Sequence, residues 1–194
     1  IDAIRMMRTF IYGQDDPEAL EGYADISPDA VVQYKEETSR KPFTNGDVVA
    51  HRNWPYSVNI NAAADAFGED LGVMPIPFAA SQSESQYDSI GGSTSALGGW
   101  HLTLNPNASD VRKQAAVQLF RALQTDEVRI RMFEIGGWIP PIPNLINTER
   151  TSQLEPIGRY VDSLQVAGEN ALPRPVPVLW PQESSQIATE VNAA

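Results

Sequence analysis

Gly98-Gly99-Trp100-His101-Leu102-Thr103-Leu104, running straight into Asn105 through Leu123, is the stretch that decides the fold class. Residues 100–104 alternate apolar and polar, the pattern of a half-buried strand. Ser109 and Asp110 then supply a helix cap, and Val111, Ala115, Ala116, Leu119, Phe120 and Leu123 recur at helical spacing. A strand feeding a helix across a short polar turn predicts a mixed α/β chain.

Working outward gives the same mixture. Thr125-Asp126-Glu127 caps a second helix through Phe133, closed by Gly136-Gly137. Pro140, Pro141 and Pro143 read as a rigid crossover, followed by helices near 144–153 and 156–166, an extended stretch from Pro173 to Trp180, and a helix from Gln182. On the other side, Ile1, Ile4, Met7, Phe10 and Ile11 form one helical stripe that ends at Gly13. Ser27-Pro28-Asp29 predicts a helix start, with the helix ending in the charged residues 35–41. A short strand is expected over Asp47–His51 and a small helix over Val58–Phe67, closed by Gly68. Residues 81–99 are poor in large apolar groups and read as loop.

Composition removes several classes of function. The 194 residues carry 14 basic and 25 acidic side chains, a net charge of −11. A phosphate backbone must be neutralised by Lys and Arg, so nucleic-acid binding is not expected, nor is docking on anionic lipid. Zero cysteines exclude disulfides, thiolate catalysis and Cys-type zinc sites. Only Lys35, Lys41 and Lys113 are lysines, a lysine-poor acidic balance that suits high salt as well as ordinary acidic drift. The chain opens at Ile1-Asp2-Ala3 and stops in a helical pattern at Ala194, so it reads as part of a longer protein.

The usual chemical motifs are missing. His51 and His101 lie 50 residues apart with no H-E-x-x-H spacing, so no metal site is expected. There is no G-x-S-x-G, P-loop or G-x-G-x-x-G. Gly91-Gly92-Ser93-Thr94 could cradle an anion, but reads better as a flexible connection. Asn107-Ala108-Ser109 fits a glycosylation sequon, a pattern too short to carry weight. No cofactor and no catalysis are expected.

The tryptophans are placed more tellingly. Trp54 sits in Arg52-Asn53-Trp54-Pro55-Tyr56, Trp100 and Trp138 each follow a double glycine, and Trp180 ends a Pro-rich stretch. None lies mid-helix, where core packing would put it. Indoles at element rims beside glycines offer flat apolar platforms, and the C–H face of a pyranose ring stacks on such a platform. Three readings stay open: a sugar-binding surface, a glycan-active enzyme with aromatic subsites, and a structural module with every indole in its core.

Several stretches, in order, resemble the second half of the extracellular solute-binding proteins of ABC transporters. Phe43-Thr44-Asn45-Gly46-Asp47-Val48-Val49-Ala50 resembles the family's F-x-x-G-x-x-A strand, and Asn53-Trp54-Pro55-Tyr56 its trehalose/maltose-binding branch. Gly72-Val73-Met74-Pro75-Ile76-Pro77, Gly98-Gly99-Trp100, the 105–123 helix, Gly136-Gly137 with Pro140-Pro141, and Arg174-Pro175-Val176-Pro177 complete the series. The resemblance implies a periplasmic-binding-protein-like, two-lobed (type II) α/β fold, present mainly as its second lobe. Residues 1–98 and 139–194 would form that lobe, and 99–138 would return to the first, whose N-terminal part is missing. It further implies an importer's substrate-capture component, a monomer, outside the membrane and anchored through the missing N-terminus. Its partners would be a sugar, di- or oligosaccharide in class, and the ABC permease. The implied ligand-binding residues are Trp54 and Trp100 by stacking and Arg174 by hydrogen bonding, with Tyr56, Gly98 and Gly99 as neighbours.

Overall fold

The computed structural model describes residues 2–63, 65–85, 91–146, 148–174 and 178–193. Its helices, in chain order, are α1 (Asp2–Tyr12), α2 (Glu36–Thr44), α3 (Tyr56–Asn61), α4 (Asp110–Leu123), α5 (Asp126–Gly136), α6 (Glu149–Ser152), α7 (Val161–Glu169) and α8 (Trp180–Ala193). Two short strands, β1 (Ser95–Leu97) and β2 (Ala171–Pro173), pair in parallel with Leu97 opposite Pro173. The chain divides into two compact units, Ile1–Pro42 with Pro175–Ala194, and Phe43–Arg174.

In the first unit, α1 ends where expected, and Gly13 takes the left-handed φ of +67° that a side chain would strain. The loop that follows is tied back to the helix. Buried Thr9 donates its hydroxyl to the Arg5 carbonyl and accepts the Leu20 amide at 2.9 Å. Arg8 grips the buried Asp16 carboxylate through Nε (3.1 Å) and Nη2 (2.7 Å). That hydrogen bonding, with the Glu18 amide, holds the Asp16 carboxyl below the ordinary range.

The second unit is built around Phe133, Ile157, Val161, Leu164, Tyr160 and Val58, with Phe43, Phe67 and Leu154 packed at its edge. Two polar side chains in this core are paired. Tyr160 donates its hydroxyl to the Leu71 carbonyl at 2.9 Å, and Thr44 donates to the buried Asn61 Oδ1 at 2.7 Å. Burial of the apolar set is the main stabilising term.

The helices over 110–123 and 126–136 stand as the periodicity predicts. Ser109 and Thr125 take the extended N-cap backbone, but neither hydroxyl makes a cap bond; Thr125 donates to the Ala122 carbonyl instead. Several expectations need correction. Residues 47–51 form turns and irregular chain, with Val49 98% exposed, and residues 100–104 have no ladder partner among the described residues. Alternation supplies strand propensity, but a strand exists only where a neighbour takes up its amides and carbonyls. The expected 58–67 helix starts at Tyr56 and stops at Asn61, whose side chain turns inward to Thr44. The Ser27-Pro28 start yields only a 3-10 turn over Asp29–Gln33. The charged residues expected to end that helix form α2, which Glu36 and Glu37 open and the Glu37–Arg40 pair supports. The 144–153 and 156–166 helices each break into a 3-10 turn and a shorter α-helix, and the last helix begins at Trp180 rather than Gln182. Residues 1, 64, 86–90, 147, 175–177 and 194, which the sequence reading included, lie outside the described residues.

Candidate functional site

The Asn53–Tyr56 turn is fixed by its own backbone before any neighbour is considered. The Trp54 amide donates to the Oδ1 of the preceding residue, Asn53, at 2.7 Å. The Trp54 carbonyl accepts from both the Ser57 amide (3.0 Å) and the Ser57 hydroxyl (2.9 Å), and the Pro55 carbonyl accepts the Val58 amide at 3.0 Å. Proline thus sits at the entry of α3 with its preset φ, and Tyr56 is the helix's first residue, half-buried. The Trp54 indole is left 39% exposed.

The ladder delivers the remaining candidates. Because Leu97 faces Pro173, the residues that follow, Gly98 and Arg174, leave the sheet at the same end. Gly98 lies against Trp54 itself: a Cβ there would fall 2.7 Å from indole Cη2 and 3.0 Å from Cζ3. Gly99 faces open space, and Trp100 two residues beyond Gly98 is 87% exposed. Arg174 is exposed at the ladder's end. The structure therefore joins Trp54 to Gly98 by contact and Gly98 to Arg174 by strand register. No ring contact joins Trp100 to Trp54 among the described residues.

One participant was not legible from spacing. The second Gly-Gly-Trp, at 136–138, packs on the same turn. Gly137 caps α5 with φ +65°, and a Cβ on it would stand 2.8 Å from both the Pro55 carbonyl oxygen and Tyr56 Cα. Asn59 adds a tie one turn along α3, donating Nδ2 to the Glu134 carbonyl at 2.8 Å. Trp138 folds back over Gly136 and stays 50% exposed. The repeated tripeptide was the available signal; only the fold shows that both copies meet one turn.

His51 packs on Phe43 with ring centroids 4.4 Å apart, and His101 is exposed. No group of three His, Asp or Glu residues converges as a metal site among the described residues. A recess of about 420 Å³ lined by Asn59, Gly68, Glu69, Glu155 and Arg159 includes none of the candidate residues. No helix among the described residues is long and apolar enough to cross a membrane.

The family model of the bacterial extracellular solute-binding proteins matches residues 8–155, well over half of the chain, so the chain belongs to that family. Among solved structures, maltose-bound T. maritima MalE3 superposes on all of the chain with a TM-score of 0.79 at 26% identity. The fold is accordingly that of a periplasmic binding protein, in part, for the chain spans 44% of that structure's length.

Proposed function

We propose that this chain supplies one wall of a sugar-binding cleft in the substrate-capture component of an ABC importer, working outside the cytoplasmic membrane. The observation that carries the reading is the exposure of two tryptophans, Trp54, whose ring lies against Gly98 at the end of the β1–β2 ladder, and Trp100, two residues beyond Gly98. Indole faces bare to water gain by stacking on the C–H face of a pyranose, on the order of 1 kcal/mol each beyond simple burial. Arg174, at the same ladder end, supplies donors for the sugar's hydroxyls. Tyr56, Gly98 and Gly99 line the turn and the strand exit between them.

The ligand is a neutral di- or oligosaccharide. Two lobes closing on it would bury it and present the closed form to the permease, with no covalent chemistry required. On this reading residues 1–98 and 139–194 belong to the second lobe and 99–138 return to the first. The 100–104 stretch, with no ladder partner among the described residues, and the exposed Val111 (77%) and Leu119 (54%) on α4 are surface that a further layer would cover, while Phe133 of the same segment packs with Val58 and Ile157.

Titrating the full-length protein with maltose and with trehalose, by calorimetry and tryptophan fluorescence, tests the reading. Saturable heat with at least one of them, and affinity weakened about tenfold by Trp54→Ala or Trp100→Ala, is the expected outcome. Unchanged affinity in both variants would remove the site assignment. Turnover of either sugar would move the protein to the enzyme class.

A further inference from the structure

We propose that Gly98 and Gly137 are positioning residues that set the Trp54 turn in place, Gly98 by seating the indole and Gly137 by seating the backbone that carries it. The inference rests on the sugar-binding reading only for its consequence; the positioning itself is a matter of geometry.

At Gly98 the absent Cβ leaves the gap that the six-membered ring of Trp54 fills, and an added methyl would meet ring atoms at 2.7 and 3.0 Å. Carbon atoms pack at about 3.5–4.0 Å, so the ring would have to move by roughly an ångström or leave its rotamer. At Gly137 the obstacle is backbone, which cannot swing aside. A methyl there meets the Pro55 oxygen and Tyr56 Cα at 2.8 Å, from a φ of +65° that L-residues rarely adopt. The two glycines approach consecutive parts of one turn: the Trp54 side chain, then the Pro55–Tyr56 backbone. Ser57 and Asn53 bond the same turn from within. A stacking platform works only when its plane is held in advance, since freedom lost on binding subtracts from affinity.

The test is a double-mutant cycle in the full-length protein with maltose as probe, Gly98→Ala against Trp54→Ala, and trehalose as a second probe. Gly98→Ala is expected to weaken binding severalfold when Trp54 is present and to cost nothing further when Trp54 is already alanine. Equal loss in both backgrounds would show that Gly98 acts without Trp54 and would overturn the inference. A second readout needs no ligand. In a protein whose only tryptophan is Trp54 (every other tryptophan, Trp100, Trp138 and Trp180 included, changed to Phe), Gly98→Ala should raise acrylamide quenching and shift the emission maximum. Gly137→Ala should do the same, and Gly98→Ala combined with Trp54→Phe, whose shorter ring clears the methyl, should regain wild-type thermal stability. If neither glycine variant alters Trp54 emission or quenching, the positioning role is wrong. If both do so while neither sugar binds, the positioning stands and the sugar reading falls.

Discussion

The same three residues, Gly-Gly-Trp, occur at 98–100 and at 136–138, and the molecule uses them in opposite ways. The first copy leaves a strand. Its leading glycine accepts an indole, its second faces open space, and its tryptophan is 87% exposed. The second copy ends a helix. Gly137 takes the left-handed C-cap, receives the turn backbone at 2.8 Å, and leaves Trp138 folded over Gly136. One copy is held by a three-residue ladder and presents surface; the other is anchored by α5, whose Phe133 is fully buried. A tripeptide alone therefore specifies closeness of backbone approach, while the element before it decides whether that closeness serves packing or display.

The sharpest way to break this contrast is to remove the anchor of the second copy. Phe133→Ala should cost about 3–5 kcal/mol, the usual range for deleting a buried aromatic, and should lower the midpoint of denaturant unfolding accordingly. A loss under 1 kcal/mol would mean that α5 is not seated as described. The next effect down separates the two copies directly. Gly137→Ala, with its positive φ and its backbone collision, should cost on the order of 2 kcal/mol. Gly99→Ala, with nothing within 4 Å, should stay within about 0.5 kcal/mol of wild type. If the two alanines destabilise equally, the distinction between a packed and a displayed copy fails.

Much of this was open to reading from the chain. The helices at 110–123 and 126–136 carry strong periodicity and polar starts, and the closing glycines of α1 and α5 take the left-handed conformation that sequence suggests. The order of short motifs pointed to the solute-binding family, to which the chain belongs. What failed were the strands. Asp47–His51 and Trp100–Leu104 have strand-like alternation, but pairing is a property of a neighbour that no local pattern reveals. The charged 35–41 run was equally opaque, since its helix depends on a carboxylate-rich first turn and an i,i+3 ion pair rather than on an apolar stripe. At the candidate site the residue types were legible and their joining was not. That Gly98 meets the Trp54 ring, and Gly137 the bond after it, follows from a parallel ladder and a helix end separated by many residues in sequence.

The smallest expected effect lies at the far end of α5 and tests how locally the second copy is controlled. Arg150 reaches Glu127 in the first turn of α5 with two bonds, Nη1 to Oε2 at 2.9 Å and Nη2 to Oε1 at 2.8 Å. Hydrogen bonding to Arg150 holds the Glu127 carboxyl below the ordinary glutamate range, and the folded state therefore releases that proton more readily than the unfolded one. The pair's stabilisation is present above the unfolded value, about 4.3, and fades as pH falls through the lower folded value. Both side chains are largely solvent-exposed, 52% and 70%, so screening by water and salt keeps the contribution small. Arg150→Gln should accordingly leave the thermal midpoint at pH 7 almost unmoved. It should also flatten the wild-type loss of stability below about pH 4 by no more than a slight degree. The informative readout is at the other end of the helix: Trp138 emission should not change in this variant, because Gly137 is set by its backbone contacts with Pro55 and Tyr56 and not by the ion pair. A shift in Trp138 emission would show that α5 transmits its first turn to its last, and that the second copy's geometry belongs to the whole helix and not to its cap.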